Sequence, residues 1–207
     1  ILYCSKEETR VRGPYTLGRI QAGQGQRTDI DALHEALDSR MCMRELSEEH
    51  FASFLRFPRS IAMYRLLHTE RRRWEMVVRV LYGPPGTGKS RAAWEMAPNA
   101  YQLAAPRSAN AAWWCGYDGQ EDIIIDDFYG WLPYGFFLQL LDRYPMRVEF
   151  KGGSTEMVAK RIIITSNKPP DEWYDPARCP YPAIRRRLNR VWRCEMAQWE
   201  LWNAPHL

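Results

Sequence analysis

A mostly parallel β-sheet covered by helices, carrying a phosphate-binding loop and preceded by a small helical unit, is the fold class the sequence predicts. Three observations predict it. Five apolar runs follow Trp74, at Val77 to Tyr82, Ala100 to Leu103, Ile123 to Asp127, Ile162 to Ser166 and Val191 to Cys194. They lack the polar and apolar alternation of a half-wet sheet, so both of their faces are buried, as in a parallel sheet. A glycine-rich stretch, Gly83-Pro84-Pro85-Gly86-Thr87-Gly88-Lys89-Ser90, joins the first run to a helical pattern from Arg91 to Met96. Two later runs end in polar side chains, Asp126-Asp127 and Thr165-Ser166-Asn167, at the carboxyl edge where open α/β sheets bind ligands. With 207 residues, the chain has room for one full core and a small satellite.

Taken in order, residues 1–28 carry Gly13-Pro14, Gly18, Gly23 and Gly25 among polar residues and read as a tail and linker. The chain opens at Ile1-Leu2-Tyr3-Cys4 with no cap before it, and the expectation is a fragment whose N-terminal part is missing. From Asp29 the apolar residues Ile30, Leu33, Ala36 and Leu37 recur at helical spacing. A second helix is expected from Glu48 to Phe57, stopped by Pro58, and a third from Ile61 to about Trp74. Residues 29–74 thus form a small helical unit that buries little by itself and packs on a neighbour or on copies of itself. Residues 75–207 hold the sheet. Within them Met146 to Phe150 alternates and runs into Lys151-Gly152-Gly153-Ser154, a hairpin signal inserted between the third and fourth runs. A further helical pattern, Ala183, Ile184, Leu188 and Val191, carries Arg185-Arg186-Arg187 and Arg190.

Composition excludes several classes. With 45% of residues apolar and 26% charged, the chain is neither disordered nor collagen-like. Its apolar runs are far shorter than the roughly 18 to 20 residues of a membrane-spanning helix, so no membrane association is expected. Five scattered cysteines without a Cys-x-x-Cys pair point to a reduced compartment, cytosol or nucleus. His34, His50, His68 and His206 have no ligand-like spacing. The net charge of +4 speaks only weakly for nucleic acid.

Gly83 to Ser90 matches G-x-x-x-x-G-K-[ST] between a strand and a helix. Glycines let backbone N–H groups converge on phosphate oxygens, Lys89 brings a point charge to the β and γ phosphates, and Ser90 offers an oxygen to magnesium. Asp126 is placed to hold magnesium and Asp127 to orient or deprotonate an attacking water. Asn167 either senses the γ-phosphate or starts the turn into Lys168-Pro169-Pro170. One of Arg185 to Arg187 could supply a guanidinium to a neighbouring subunit's nucleotide, the others forming a solvated basic face. Arg71-Arg72-Arg73 reads as a solvated linker or DNA-facing patch. Lys151 beside Gly152 projects a cation from a hairpin tip, either to grip a phosphate backbone or as an ordinary polar turn. Of nine tryptophans, Trp113, Trp114 and Trp131 could stack on bases, although packing is the commoner use.

The ordered set of phosphate loop, Ile123-Ile124-Ile125-Asp126-Asp127-Phe128, Lys151-Gly152-Gly153 and Ile162-Ile163-Ile164-Thr165-Ser166-Asn167 resembles the superfamily 3 helicase domain of replication-associated proteins from circoviruses and related viruses. Gly116-Tyr117-Asp118-Gly119, Tyr129-Gly130-Trp131-Leu132-Pro133 and Asp142-Arg143-Tyr144-Pro145 are especially like the circovirus members. The resemblance implies an AAA+-like P-loop NTPase with a central five-stranded sheet, using ATP and Mg2+ and moving on single-stranded DNA. It implies a homo-oligomeric ring, usually a hexamer, with the short helices from about Asp29 to Phe57 as its collar, working in the host cell nucleus. Gly83 to Ser90 is then Walker A, Asp126 and Asp127 Walker B, Asn167 the motif C sensor, Lys151 and Gly152 a DNA-contacting loop, and Arg186 the favoured arginine finger. Tyr3-Cys4-Ser5-Lys6 is similar to the family's Tyr-x-x-Lys endonuclease motif, in which the tyrosine attacks the DNA phosphodiester. The His-hydrophobe-His pair which that endonuclease also needs is absent from the sequence, so Tyr3 acts as a nucleophile only in an intact protein. Without the resemblance, a kinase-like or switch NTPase and an ATP-assembled DNA-binding ring stand as rivals.

Overall fold

A computed structural model describes residues 27–106, 112–195 and, as backbone, 199–201. Tyr3 and nearly all of the expected tail lie outside the described residues. Four helices come first: α1 (Thr28–Asp38), α2 (Met43–Glu49), α3 (Phe51–Arg56) and α4 (Pro58–His68). Leu33, Ala36, Leu46 and Ile61 form their own small core. The second helix is not the continuous one expected from Glu48. It begins at Met43, because Cys42 and Glu45 make a reciprocal cap, and it breaks at His50, whose φ of −116° and ψ of 36° are not helical. Pro58 opens α4 instead of only ending its predecessor. Its ring fixes φ at a helical value and its missing N–H is one that a first turn cannot use. Residues beyond Thr69 leave the helix, and Trp74 instead donates its indole N–H to Ala159 O at 2.9 Å.

The sheet follows, built from β1 (Val77–Tyr82), β2 (Tyr101–Leu103), β3 (Asp122–Ile125), β6 (Arg161–Ser166) and β7 (Arg190–Cys194), with α5 (Lys89–Met96), α6 (Tyr134–Leu140) and α7 (Tyr181–Arg185) between strands. The hairpin strands β4 (Arg147–Phe150) and β5 (Gly153–Glu156) form a separate antiparallel pair. The strand order is β2-β3-β6-β1-β7, all parallel, and β8 (Trp199–Leu201) adds an antiparallel sixth strand beside β7. Both faces are indeed buried. Val78, Val80, Ile123, Ile125, Ile162 and Ile164 pack into the main core with Phe128, Phe137 and Trp173, while Leu81, Ile124 and Ile163 meet Ala93 of α5 and Ala97 just after it on the other side. The helical pattern expected through Val191 stops at Arg185, and Val191 is a strand residue. Among the described residues no helix is long and apolar enough to cross a membrane.

Arg72 corrects the reading of Arg71 to Arg73 as a solvated patch. It is only 1% exposed and donates to Gln139 O, Leu140 O and Tyr144 O, each at 2.8 Å. It therefore caps the C-terminus of α6, where carbonyls lack partners and a cation is favoured. Burial pushes its pKa down to about 10, against the charges of Asp142 and Tyr117, so the group is still a cation at neutral pH. Arg72→Met is expected to cost about 2 to 4 kcal/mol, because buried carbonyls lose their donor. Thermal unfolding checks this, with exposed Arg73→Met as a control that leaves the midpoint in place.

Candidate nucleotide site

The phosphate loop leaves the carboxyl end of β1 at Gly83, whose N–H donates to Ser166 O at 3.1 Å. No side chain fits there, since a Cβ would lie 2.2 Å from Cys194 O with φ at +148°. Gly86 and Gly88 have φ near +80° and a Cβ on either meets nothing within 4 Å. These glycines line open space above the start of α5, a cradle that backbone N–H groups can offer to phosphate oxygens. Lys89 is 8% exposed, and its ammonium donates to Gly83 O at 2.9 Å, Pro84 O at 2.7 Å and Thr87 Oγ1 at 3.4 Å. Burial lowers its pKa, while Cys194, Asp127 and Asp126 pull the other way. A desolvated cation held over the loop is ready for an anion.

The carboxylates stand where β3 ends. Ser90 Oγ donates to Asp126 Oδ1 at 2.7 Å, so the hydroxyl and carboxylate expected to share a cation already meet. Asp127 has φ at +49°, a left-handed conformation that costs most residues energy and that aspartate tolerates better. Asn167 Nδ2 donates to Asp127 Oδ1 at 2.9 Å, which joins the two side chains the sequence left on separate strands.

Thr165 was missed as a site residue. Its hydroxyl donates to Asp126 Oδ1 at 2.5 Å and accepts the N–H of Asp127 at 2.9 Å. The parallel register pairs Ile125 with Ile164, so the next residues, Asp126 and Thr165, fall side by side. Knowing the strand order would have found it. Ser166 is fully buried; its hydroxyl donates to Phe128 O and accepts from Lys168 N and Trp173 Nε1, anchoring the loop that presents Asn167.

The remaining sequence-derived residues lie elsewhere. Lys151 and Gly152 form the exposed turn of the hairpin. Arg185 and Arg186 are exposed, whereas Arg187 pairs with Asp142 at 2.6 Å. Asn189 bonds both backbone groups of Val78 near the start of β1. Five residues at about 3.3 Å each, roughly 16 Å, then separate that point from the phosphate loop. Asn189, three residues beyond Arg186, is therefore at the far end of the sheet from this chain's own loop. Among the described residues no cluster of three or more His, Cys, Asp or Glu could hold a metal by itself. A hydroxyl and one carboxylate suit magnesium, which keeps several waters and takes phosphate oxygens as further ligands.

A family model described as RNA helicase matches residues 79–168, the stretch from within β1 to the residue after Asn167. The chain is 42% identical over 191 residues to the replication-associated protein of Beak and feather disease virus, covering 92% of this chain and 62% of that protein. It is 40% identical over 192 residues to the one from Goose circovirus, covering 91% and 61%. To that of Porcine circovirus 2 it is 39% identical over 199 residues, covering 91% and 59%. Over about nine tenths of its length this chain is similar to the replication-associated proteins of circoviruses. It spans about three fifths of the length of those relatives. The fold class that the motifs implied, a P-loop NTPase with five parallel strands and an inserted hairpin, is the one observed.

Proposed function

We propose that this chain is the ATP- and Mg2+-dependent helicase motor of a viral replication initiator, a ring of usually six copies that moves along single-stranded DNA. One observation carries the reading: the Ser90–Asp126 and Asp127–Asn167 bonds meet at one sheet edge beside the phosphate loop. Gly83, Pro84, Pro85, Gly86, Thr87 and Gly88 cradle the triphosphate, and Lys89 faces its β and γ groups. Ser90 and Asp126 hold magnesium, which supplies charge neutralisation at the γ-phosphate. Asp127 orients the attacking water and accepts its proton, while Asn167 fixes that carboxylate. Arg186, which is exposed, serves the neighbouring copy's nucleotide, an arrangement a closed ring permits. Exposed Phe51, Leu55, Met63 and Leu67 on α3 and α4 support the helical unit as the collar. In the intact protein Tyr3 is the nucleophile of the DNA-nicking step, and the work takes place in the host nucleus.

Lys151 and Gly152 grip DNA from the hairpin tip. The test is the ATP hydrolysis rate with and without single-stranded DNA. Stimulation by DNA is expected, and Lys151→Ala is expected to weaken binding across all sequences and reduce the slope of log affinity against log salt by about one. Hydrolysis indifferent to DNA would return the site to a DNA-independent NTPase. A Lys151→Ala protein with unchanged affinity and salt slope would remove the hairpin from the DNA path.

A further inference from the structure

The corner between α6 and β4 is held by guanidinium groups from opposite ends of the sequence. Arg72 caps its first carbonyls, as described above. Arg187 reaches it from the other side, donating from Nη2 to Asp142 Oδ2 at 2.6 Å and from Nη1 to Ala183 O at 2.8 Å. The second oxygen of Asp142 accepts the N–H of Arg143 at 2.9 Å. This pair is well shielded, with side chains 13% and 26% exposed, unlike surface pairs such as Arg91–Glu95 at 84% and 62%. Surface pairs of that kind contribute little, whereas a shielded, hydrogen-bonded pair fixes geometry. Burial works against ionisation of Asp142, but the hydrogen bond from Arg187 and the charges of Arg187 and Arg186 outweigh it and hold the carboxyl below its usual range.

The pair joins two functional pieces. On the Asp142 side the chain runs through Met146, whose carbonyl accepts Met157 N at 2.9 Å and closes the base of the hairpin bearing Lys151. On the other side Arg187 directly follows the exposed Arg185 and Arg186, and Asn189 pins the next turn to β1. Both Nη atoms of Arg187 are bonded within its own chain and its Nε is buried, so it is not the group offered to a neighbour. Resting on the motor reading, we infer that Asp142–Arg187 is a positioning pair that fastens the exposed arginines to the root of the DNA-gripping hairpin. Movement of the hairpin on DNA then resets the arginine that faces the neighbouring nucleotide, and the two cannot shift independently.

Asp142→Asn keeps the size of the side chain and its acceptor for Arg143 N–H while removing the charge. It is expected to lower the DNA-stimulated kcat about tenfold, with KM for ATP and Kd for an oligo-dT strand within about twofold, because only transition-state positioning is lost. The ratio of stimulated to unstimulated rate falls towards one. Arg187→Gln does the same, and the double variant is no worse than either single change, as for two residues that act as one unit. Additive losses, or full stimulation in variants that melt with the unaltered protein, would overturn the inference. Should either neutral variant melt early, the reversed pair Asp142→Arg with Arg187→Asp decides: recovery of DNA stimulation supports the inference, and recovery of melting without stimulation defeats it. Absence of stimulation in the unaltered protein would defeat the motor reading itself, and the pair's role with it.

Discussion

Lys89→Ala is expected to lower ATP turnover by about 10²-fold or more, since a charge aimed at the transferring phosphoryl group acts mainly in the transition state. The ammonium is buried and already placed over the loop, with Gly83 O, Pro84 O and Thr87 Oγ1 as its acceptors. Little reorganisation is then required when phosphate arrives, which is the condition under which a preorganised charge contributes most. Truncation also removes a donor from two carbonyls, a loss of about 1 to 3 kcal/mol. The loop keeps other ties, however: Thr87 Oγ1 still donates to Pro84 O at 3.0 Å, and Gly83 N to Ser166 O. The melting temperature should fall by a few degrees while turnover collapses. Steady-state hydrolysis at saturating ATP beside a thermal melt separates the two effects. Turnover within about threefold of the unaltered protein would remove Lys89 from the chemistry.

What was legible in the sequence is what local pattern and short spacing encode. The five parallel runs, the loop from Gly83 to Ser90 and the hairpin around Lys151 stand where their residues placed them, because unbroken apolar runs, glycine spacing and alternation are properties of neighbours in the chain. The residues that were missed are defined by partners far away. Thr165 matters because β6 lies beside β3, which puts its hydroxyl against Asp126, 39 residues earlier. Arg72 looked solvated among Arg71 and Arg73, yet its partners are 67 to 72 residues on. Arg187 is distinguished from Arg185 and Arg186 only by Asp142, 45 residues before it. Helix boundaries failed for a different reason. Pro58 both ends one helix and opens another, and at the level of sequence these two uses look alike. The break at His50 has no glycine or proline to announce it; it follows the point where Leu46 turns into the small helical core.

Gly130→Ala is expected to be the most destabilising single methyl group that can be added near the site. Gly130 has φ at +95°, and a Cβ there would sit 1.8 Å from Trp173 O and 2.9 Å from its carbonyl carbon. The obstacle is backbone, so no side-chain rotation relieves it. Positive φ alone costs about 1 to 2 kcal/mol for a residue with a Cβ, and displacing a packed backbone adds about 1 to 3 kcal/mol or more. The displaced residue is poorly able to move. Trp173 is 3% exposed, its ring lies 5.0 Å from Phe128 and 5.9 Å from Phe137, and its N–H donates to Ser166 Oγ at 2.9 Å. That same hydroxyl holds Phe128 O and Lys168 N, the residues that directly follow Asp127 and Asn167. Strain at Gly130 therefore passes directly to the Asp127–Asn167 bond. A total of about 2 to 5 kcal/mol is a large part of the stability of an ordinary domain, and it corresponds to a fall of roughly 10 °C in Tm. Gly116→Ala is the matched control. Its φ is +87° but a Cβ there meets nothing within 4 Å, so it should lose only the conformational term, about 1 to 2 kcal/mol. Equal melting temperatures for the two variants would show that Trp173 yields, and that the aromatic packing behind the carboxylates is looser than its geometry implies. A much lower midpoint for Gly130→Ala, with hydrolysis lost even well below it, would show that the same packing holds Asp127 in its left-handed conformation.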